Sequence, residues 1–256
     1  MTTSATPATV ALAARQVSKH FGGVGALDDV TIEFPLGSVT AVMGDNGAGK
    51  STLMKILSGV FGPDSGHLEV NGEARRFDTP TDARSAGVET VYQDLALADQ
   101  RDVAANLFLG REKTVGFGPI RFLATSAMRR EAAEALAELR VKLPSLRSEV
   151  RTLSGGQRQA IAIARAVHQG CRALIMDEPM AALGLREAEG VQTLIRDLAT
   201  RGITQILVSH NLDHSFAVAD RIAVFRQGKL VAIKAAQETT PAEILHLING
   251  LTDVSP

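Results

Sequence analysis

The segment from Gly44 to Ser51 has the composition and spacing of a phosphate-binding loop, because it fits GxxxxGK[ST] at every fixed position. Its glycines allow backbone N–H groups to turn inward around an anion, and the helix expected after it adds positive potential. Lys50 should reach the β- and γ-phosphates of a nucleotide, and Ser51 should coordinate Mg²⁺. The alternative is an ordinary glycine-rich turn, but the strand and helix patterns on either side argue against it. The expected nucleotide contacts are Gly44, Asp45, Asn46, Gly47, Ala48, Gly49, Lys50, Ser51 and Thr52.

Two acids end a later apolar strand pattern. Asp177 and Glu178 follow Leu174-Ile175-Met176, and the carboxyl end of that strand should lie beside the phosphate loop at the ligand edge of a parallel sheet. Asp177 can then hold Mg²⁺ through water, and Glu178 can polarise the attacking water. Two solvated acids at a strand end are common, and this alternative weakens only because a phosphate loop precedes the pair.

Three single residues could complete such a site. Gln93 follows the strand pattern that ends at Tyr92, where its amide can contact Mg²⁺ or the lytic water. His210 ends another strand pattern, and its imidazole can donate to the γ-phosphate as charge builds in the transition state. Phe21 can stack on a nucleotide base. The alternatives are that Gln93 is an ordinary polar loop residue, His210 a structural histidine and Phe21 a core aromatic. Only the presence of the other motifs in the same chain favours a role in the site.

Alternating strand and helix patterns surround these motifs and predict an α/β fold with a mostly parallel sheet flanked by helices. A tight turn at Asn71-Gly72 predicts a hairpin, and Thr240 and Gly250 bound a last helix. Residues 94–151 carry few strand signals and predict an inserted helical subdomain. Residues 1–10 are interpreted as a flexible tail and residues 11–256 as a single domain. The expected strands are 12–17, 30–34, 39–43, 87–92, 173–176, 204–208, 221–226 and 230–233, and the expected helices are 50–57, 127–140 and 186–200.

The composition of the 256-residue chain excludes several classes of protein. It is 45% hydrophobic and 21% charged, which is ordinary for a globular protein. A net charge of −1 provides no basic field for nucleic acid. Apolar runs fall short of the roughly 20 residues of a membrane helix, and the first ten residues lack the pattern of a signal peptide. Cys171 is the single cysteine, which fits a reducing, cytoplasmic compartment.

Leu153-Ser154-Gly155-Gly156-Gln157, here called the signature segment, narrows the interpretation to one superfamily. Together with the phosphate loop, the acid pair, Gln93 and His210, it makes the chain resemble the ATP-binding subunit of an ABC transporter from about residue 11 to 250. The resemblance implies a P-loop NTPase core with an antiparallel β subdomain and a helical insert. It also implies that ATP and Mg²⁺ are bound and that two subunits close head to tail on two ATP molecules. The residues that contact ATP in trans would be Ser154, Gly155, Gly156 and Gln157.

Further segments are similar to carbohydrate importers of the ribose, xylose and fructose type. They include 91–97, 106–112 and 181–184, and the single copy of the unit resembles the fructose-type members. This resemblance implies a homodimer on the inner face of the cell membrane, bound to an integral-membrane sugar permease and served indirectly by a periplasmic sugar-binding protein. It implies no nucleic-acid partner. Nothing in such a subunit touches the sugar, so the sequence holds no direct record of which sugar is carried.

Two positions depart from the usual ABC pattern. Met180 replaces the threonine of Asp-Glu-Pro-Thr and removes a hydroxyl, and Gly184 replaces an aspartate that many ABC ATPases direct at the opposite subunit. Met180 keeps open the alternative of a regulatory subunit that hydrolyses ATP poorly. A second alternative is a non-transport ABC ATPase acting in DNA repair or translation. The chain shows neither the long coiled coil of the former nor the two copies of the latter.

Overall fold

The computed structural model describes residues 10–117 and 120–251. The expected N-terminal tail lies outside the described residues except for Val10, which begins the first strand. Within the described ranges the strands are β1 (Val10–Phe21), β2 (Val24–Pro35), β3 (Val39–Met43), β4 (Ser65–Val70), β5 (Glu73–Arg75), β6 (Val88–Val91), β7 (Thr114–Phe117), β8 (Ile120–Leu123), β9 (Ala173–Asp177), β10 (Thr204–Val208), β11 (Arg221–Arg226) and β12 (Lys229–Ala235). The helices are α1 (Lys50–Leu57), α2 (Pro80–Ser85), α3 (Val103–Leu107), α4 (Thr125–Glu138), α5 (Gly155–His168), α6 (Leu185–Thr200), α7 (Leu212–Val218) and α8 (Pro241–Asn249).

The described residues divide into two compact units. The first covers 10–90, 171–178 and 198–251, and the second covers 91–117, 120–170 and 179–197. The second unit therefore contains the described part of the helical region expected at 94–151, together with α5 and most of α6. Its three central helices, α3, α4 and α5, pack on one another through buried side chains such as Leu107, Met128 and Ile161.

The first unit is built on a six-stranded sheet in the order β12-β11-β3-β10-β9-β6. The pairs β11–β3, β3–β10 and β10–β9 are parallel, and β11–β12 is antiparallel. All five residues of β3 and of β10 are buried, as expected for central strands covered on both faces. The α/β fold with a mostly parallel sheet is confirmed.

A separate four-stranded antiparallel sheet has the order β2-β1-β4-β5, which confirms the antiparallel β subdomain. Asn71 and Gly72 join β4 to β5 with φ angles of 52° and 79°, the positive values of the expected tight turn. Strands β1 and β2 have 12 residues each and are much longer than the segments expected from sequence. Register shifts interrupt their pairing, so the alternation of inward and outward side chains is lost along part of each strand. The alternation in the sequence therefore predicted only the stretches with regular pairing.

The hairpin β7–β8 was not expected, because residues 94–151 were interpreted as helical. Its strands have only four residues each, and Val115 and Phe122, which pair across the hairpin, both face solvent, so no buried apolar face marks the strands. The helix expected at 127–140 is α4, displaced by two residues at each end. Arg140, with a φ of 54°, lies in the left-handed conformation that commonly follows a helix.

Candidate functional site

The phosphate loop joins the buried strand β3 to helix α1. Gly44 and Gly49 have φ angles of 150° and 103°, conformations that other residues rarely adopt. A Cβ on Gly49 would lie 2.7 Å from the carbonyl oxygen of Ala26, so the loop also packs too closely on β2 to admit a side chain there. The turn between β11 and β12 supports the loop, since Gly228 donates its N–H to the Ala48 carbonyl at 3.1 Å.

Lys50 is buried and its ammonium group lies within the phosphate loop. Its Nζ donates to the carbonyl oxygens of Gly44 at 2.5 Å and Asp45 at 2.8 Å. Burial lowers the pKa of this ammonium, while the charges of Glu178, Asp45 and Asp177 act in the opposite direction. The cation is therefore held at the loop and lies in the field of the acid pair. Ser51 follows it at the start of α1 and is exposed.

Strand register places the acid pair at the edge of the sheet that carries the phosphate loop. Val42 of β3 is opposite Val208 of β10, and Val208 is in turn opposite Asp177 of β9. Two strand spacings, about 10 Å, therefore separate Asp177 from the end of β3. Burial, followed by the charge of Glu178, raises the pKa of the Asp177 carboxyl, and Lys50 partly offsets this rise. A positive charge bound close to Asp177 would therefore favour its ionised form over its protonated form.

Glu178 is fixed by the segment that follows β10. Its backbone is in a left-handed conformation with a φ of 48°, and its N–H donates to the Val208 carbonyl at 2.8 Å. Its carboxylate oxygen Oε1 accepts from the His210 N–H at 2.9 Å and lies 2.6 Å from His210 Nδ1. Its Oε2 accepts from Ser209 Oγ at 3.2 Å. The carboxylate of Glu178 and the imidazole of His210 therefore form one hydrogen-bonded pair.

Ser209 is a site residue that the sequence analysis missed. It is buried, and its hydroxyl donates to Glu178 while accepting the N–H of Asn211 at 3.1 Å. The hydroxyl thus restrains the acid that is expected to act on water. The available signal was a polar residue that directly follows the apolar run Ile206-Leu207-Val208 and precedes a histidine.

Phe21 lies at the end of β1, next to the turn into β2, and its ring is half exposed. It meets Phe61 edge to face with ring centroids 5.4 Å apart, and the Lys19 ammonium lies 5.7 Å from its ring centre. An aromatic ring that packs on a second ring and is half exposed to solvent can stack on a planar base. The core alternative does not fit this exposure.

The signature segment belongs to the second unit and begins helix α5. Ser154 is the N-cap residue: its hydroxyl accepts the Gln157 N–H at 3.4 Å, and the Gln157 side chain accepts the Ser154 N–H at 3.1 Å. This reciprocal capping satisfies the N–H groups of Ser154 and Gln157 at the start of a 14-residue helix, and a helix N-terminus attracts anions.

The two glycines of the signature segment lie close against residues 183–187, and the contact at Gly156 is with atoms fixed to a backbone. A Cβ on Gly155 would lie 2.8 Å from Leu183 Cδ2, and a Cβ on Gly156 would lie 2.8 Å from Glu187 Cβ. The first turn of α6 therefore rests directly on the first turn of α5. Glu187 also accepts hydrogen bonds from the Ser154 side chain and from the backbones of Gly184 and Gly156.

Gln93 also belongs to the second unit, where it is exposed two residues after β6. The loop that follows it is held by the buried side chain of Asn106. Asn106 Oδ1 accepts the Ala98 N–H at 2.7 Å, and its Nδ2 donates to the carbonyls of Ala98 at 3.1 Å and Asp102 at 3.0 Å. Sequence reasoning used Asn106 only as part of a resemblance and missed this structural role.

The two departures from the usual pattern have different surroundings. Met180 is buried within the second unit, where a methionine packs as an ordinary apolar side chain. Gly184 is exposed, has open space where a Cβ would project, and donates its N–H to Glu187 Oε2 at 3.3 Å.

The first unit therefore gathers Lys50, Ser51, Asp177, Glu178 and His210 at one edge of its sheet. A serine hydroxyl and a carboxylate are hard oxygen ligands of the kind Mg²⁺ prefers, and a divalent cation would relieve the cost of ionising Asp177. The described residues contain no cluster of three or more His, Cys, Asp or Glu that could hold a metal. Within the described ranges, no helix is long and apolar enough to cross a membrane.

Comparisons with known proteins agree with these features. Residues 27–181 match the family model described as ABC transporter. The xylose/arabinose import ATP-binding protein of Sulfolobus acidocaldarius is 44% identical over 92% of this chain and 92% of that protein. The fructose import ATP-binding protein of Rhizobium meliloti is 42% identical over 93% of this chain and 94% of that protein.

Other relatives are longer than this chain. A ribose import ATP-binding protein of Rubrobacter xylanophilus is 44% identical over 92% of this chain, but the match covers 45% of that protein. Among solved structures, the ADP conformation of an ATP-binding cassette of an ABC transporter has a TM-score of 0.78 at 24% identity. That likeness covers 94% of this chain and 96% of the cassette, and it is evidence for the fold alone.

Proposed function

The chain belongs to the ABC transporter family, and on that premise we propose that it is the ATP-hydrolysing subunit of an importer that drives sugar uptake through a partner permease. The proposal that this chain hydrolyses ATP is supported most directly by the position of Glu178. Its carboxylate is held by Ser209 and His210 at the sheet edge where Lys50 lies within the phosphate loop. Those groups bring a general base, a cation and an anion-binding loop to one place, as attack of water on a γ-phosphate requires.

In this proposal the phosphate loop binds the β- and γ-phosphates of ATP through its N–H groups and Lys50. Lys50 exchanges its carbonyl partners at Gly44 and Asp45 for phosphate oxygens, which neutralise it more fully than neutral carbonyls do. Glu178 orients and deprotonates the attacking water. His210, whose Nδ1 faces Glu178, directs its remaining ring nitrogen away from that carboxylate and can donate to the γ-phosphate. Phe21 stacks on the adenine.

Ser51, Gln93 and Asp177 would hold Mg²⁺, which would neutralise phosphate charge when it is bound. Asp177 suits this role because burial and Glu178 make its ionised form costly without a nearby cation. Gln93, in the loop that Asn106 orders, would contribute a neutral amide oxygen.

Each chain carries one phosphate loop and one signature segment, so we propose a homodimer that closes head to tail on two ATP molecules. On closure, the start of α5 would present the Ser154 hydroxyl and the N–H groups of its first turn to the γ-phosphate bound by the other subunit. Closure on ATP and reopening after hydrolysis would act on the permease through the helical unit, with residues 93–109 as the contact region. The dimer would lie on the cytoplasmic face of the membrane.

The substrate class follows from the relatives. Import ATP-binding proteins for xylose and arabinose, fructose and ribose are 42–44% identical to this chain. We propose a sugar of this group, with fructose as one candidate, delivered to the permease by a periplasmic sugar-binding protein. A role in DNA repair or translation is not favoured, because these relatives are import proteins and the chain has no basic field. A buried Met180 also gives no reason to expect slow hydrolysis.

The variant Glu178→Gln tests the proposal. It keeps the shape of the side chain but removes the base, so steady-state ATP hydrolysis should fall by a factor on the order of 10²–10⁴. ATP binding and ATP-dependent dimerisation should persist, as measured by fluorescent-nucleotide titration and size-exclusion chromatography. Glu238→Gln, which removes the same charge at an exposed position after β12, is the matched control and should keep parental turnover. Near-parental hydrolysis by Glu178→Gln would remove Glu178 from the role of base.

A further inference from the structure

The carboxylate of Glu187 occupies the start of the signature helix. It accepts hydrogen bonds from the Ser154 side chain, from the Gly156 backbone and from the Gly184 N–H, the last at 3.3 Å. A Cβ on Gly155 would lie 3.6 Å from its Oε2. The carboxylate is therefore seated over the first turn of α5, although Glu187 itself lies in the first turn of α6.

These partners are the groups that the proposed function assigns to a nucleotide. A serine hydroxyl and a glycine N–H at the start of a helix can bind an anion. Here the carboxylate of Glu187, from the same chain, is that anion. The three hydrogen bonds, led by the one from Ser154, hold the pKa of the Glu187 carboxyl below its usual range. Glu187 is therefore ionised at neutral pH. A phosphate oxygen and this carboxylate cannot accept the same hydrogens at once.

We propose that Glu187 is an internal competitor for the γ-phosphate on the signature segment, and that closure of the dimer exchanges its carboxylate for a phosphate oxygen of the partner-bound ATP. This inference rests on the proposed function, because it requires that the signature segment binds nucleotide in trans. The exchange would make closure depend on the γ-phosphate, which ADP lacks. The resting subunit keeps its signature helix capped.

The structure provides room for the displaced carboxylate. A cavity of about 310 Å³ opens beside Ser154 and Gly156, and Glu187 is part of its wall. Arg140, Lys142 and Arg186 line the same cavity. A carboxylate that leaves the start of α5 thus remains within reach of positive charge, which lowers the cost of displacing it.

The test uses ATP-dependent dimerisation in a Glu178→Gln background, where hydrolysis does not reopen the dimer. Glu187→Gln is added to that background, and Glu189→Gln, an exposed position two residues further along α6, is the matched control. The ATP concentration for half-maximal dimerisation should fall by a factor on the order of tenfold with Glu187→Gln, the scale of one charge-assisted hydrogen bond. It should stay at the parental value with Glu189→Gln.

Thermal unfolding without nucleotide separates competition from ordinary structural support. Loss of the carboxylate weakens the cap of α5, so Glu187→Gln should unfold at a lower temperature while it dimerises at less ATP. A purely structural Glu187 would move both measurements toward weaker behaviour. An unchanged or higher ATP requirement in Glu187→Gln would overturn the inference alone. Failure of the Glu178→Gln parent to dimerise with ATP would overturn the proposed dimer and the inference together.

Discussion

Replacing Gly156 with alanine should destabilise the second unit and impair hydrolysis, because the added methyl group has no space. Its Cβ would lie 2.8 Å from Glu187 Cβ and 3.3 Å from Glu187 Cα, whereas carbon atoms pack favourably at about 3.5–4.0 Å. Rotation of the Glu187 side chain does not relieve the overlap, since both atoms are fixed to the backbone of α6. The first turns of α5 and α6 must separate by roughly 1 Å, and such overpacking costs about 1–3 kcal/mol.

Gly190→Ala is the matched control for this substitution. Gly190 lies in α6, and a Cβ built on it meets nothing within 4 Å. The methyl group there should stabilise the helix by about 0.5–1 kcal/mol, because alanine loses less backbone entropy on folding than glycine. At about 2–4 °C per kcal/mol for a chain of this size, Gly156→Ala should lower the unfolding temperature by roughly 2–12 °C. Gly190→Ala should raise it by about 2 °C.

Differential scanning fluorimetry and a phosphate-release assay measure the two effects. Displacement of the signature segment by roughly 1 Å should reduce turnover by a factor on the order of 10², while Gly190→Ala should hydrolyse ATP at the parental rate. A Gly156→Ala variant with parental stability and turnover would refute the argument from crowding. A destabilised Gly190→Ala variant would show that replacing a glycine lowers stability even where the methyl group has space, and would refute the argument that crowding decides the effect.

Two further substitutions test the site and its support. Asp177→Asn should abolish Mg²⁺-dependent hydrolysis yet raise the free energy of unfolding in chelator-containing buffer by a few tenths to about 1 kcal/mol, because burial raises the pKa of Asp177. Because the pKa of Asp177 is raised in the folded protein, the parent loses stability as the pH rises toward that pKa. The extra stability of Asp177→Asn should therefore vanish as the pH falls toward about 4. Extra stability that is unchanged at that pH would contradict this reasoning. Asn106→Ala should lower the stability of the second unit by about 2–4 kcal/mol and expose the loop after Gln93 to limited proteolysis, since the N–H and carbonyl of Ala98 lose their partner. Parental resistance to protease would show that the loop is held by other contacts.

Much of the first unit was predictable because its signals are local. The central strands β3 and β10 are short, fully buried and rich in apolar residues, and the phosphate loop has fixed spacing. The hairpin β4–β5 was predictable from Asn71-Gly72 because few residues tolerate two successive positive φ angles. Hairpin β7–β8 was not, since its strands have four residues each and its Val115 and Phe122 are exposed and form no buried face.

The candidate site divides in the same way. The motifs named Lys50, Ser51, Asp177, Glu178 and His210, because phosphate binding and water activation require particular residue types at particular strand ends. Ser209 and Asn106 were missed because serine and asparagine are common in loops, and only their burial and hydrogen-bond partners reveal a role.

The sequence by itself determined the family, the parallel sheet and the chemistry of each motif, because these depend on residue type and spacing along the chain. Only the tertiary structure decided which groups share a hydrogen bond. It paired Glu178 with His210, which are 32 residues apart, and it placed the Glu187 carboxylate on the signature helix. It also showed that Gly156 is required by the packing of α6. Such contacts join segments distant in sequence, and their distances follow from how strands and helices pack, which no local pattern records.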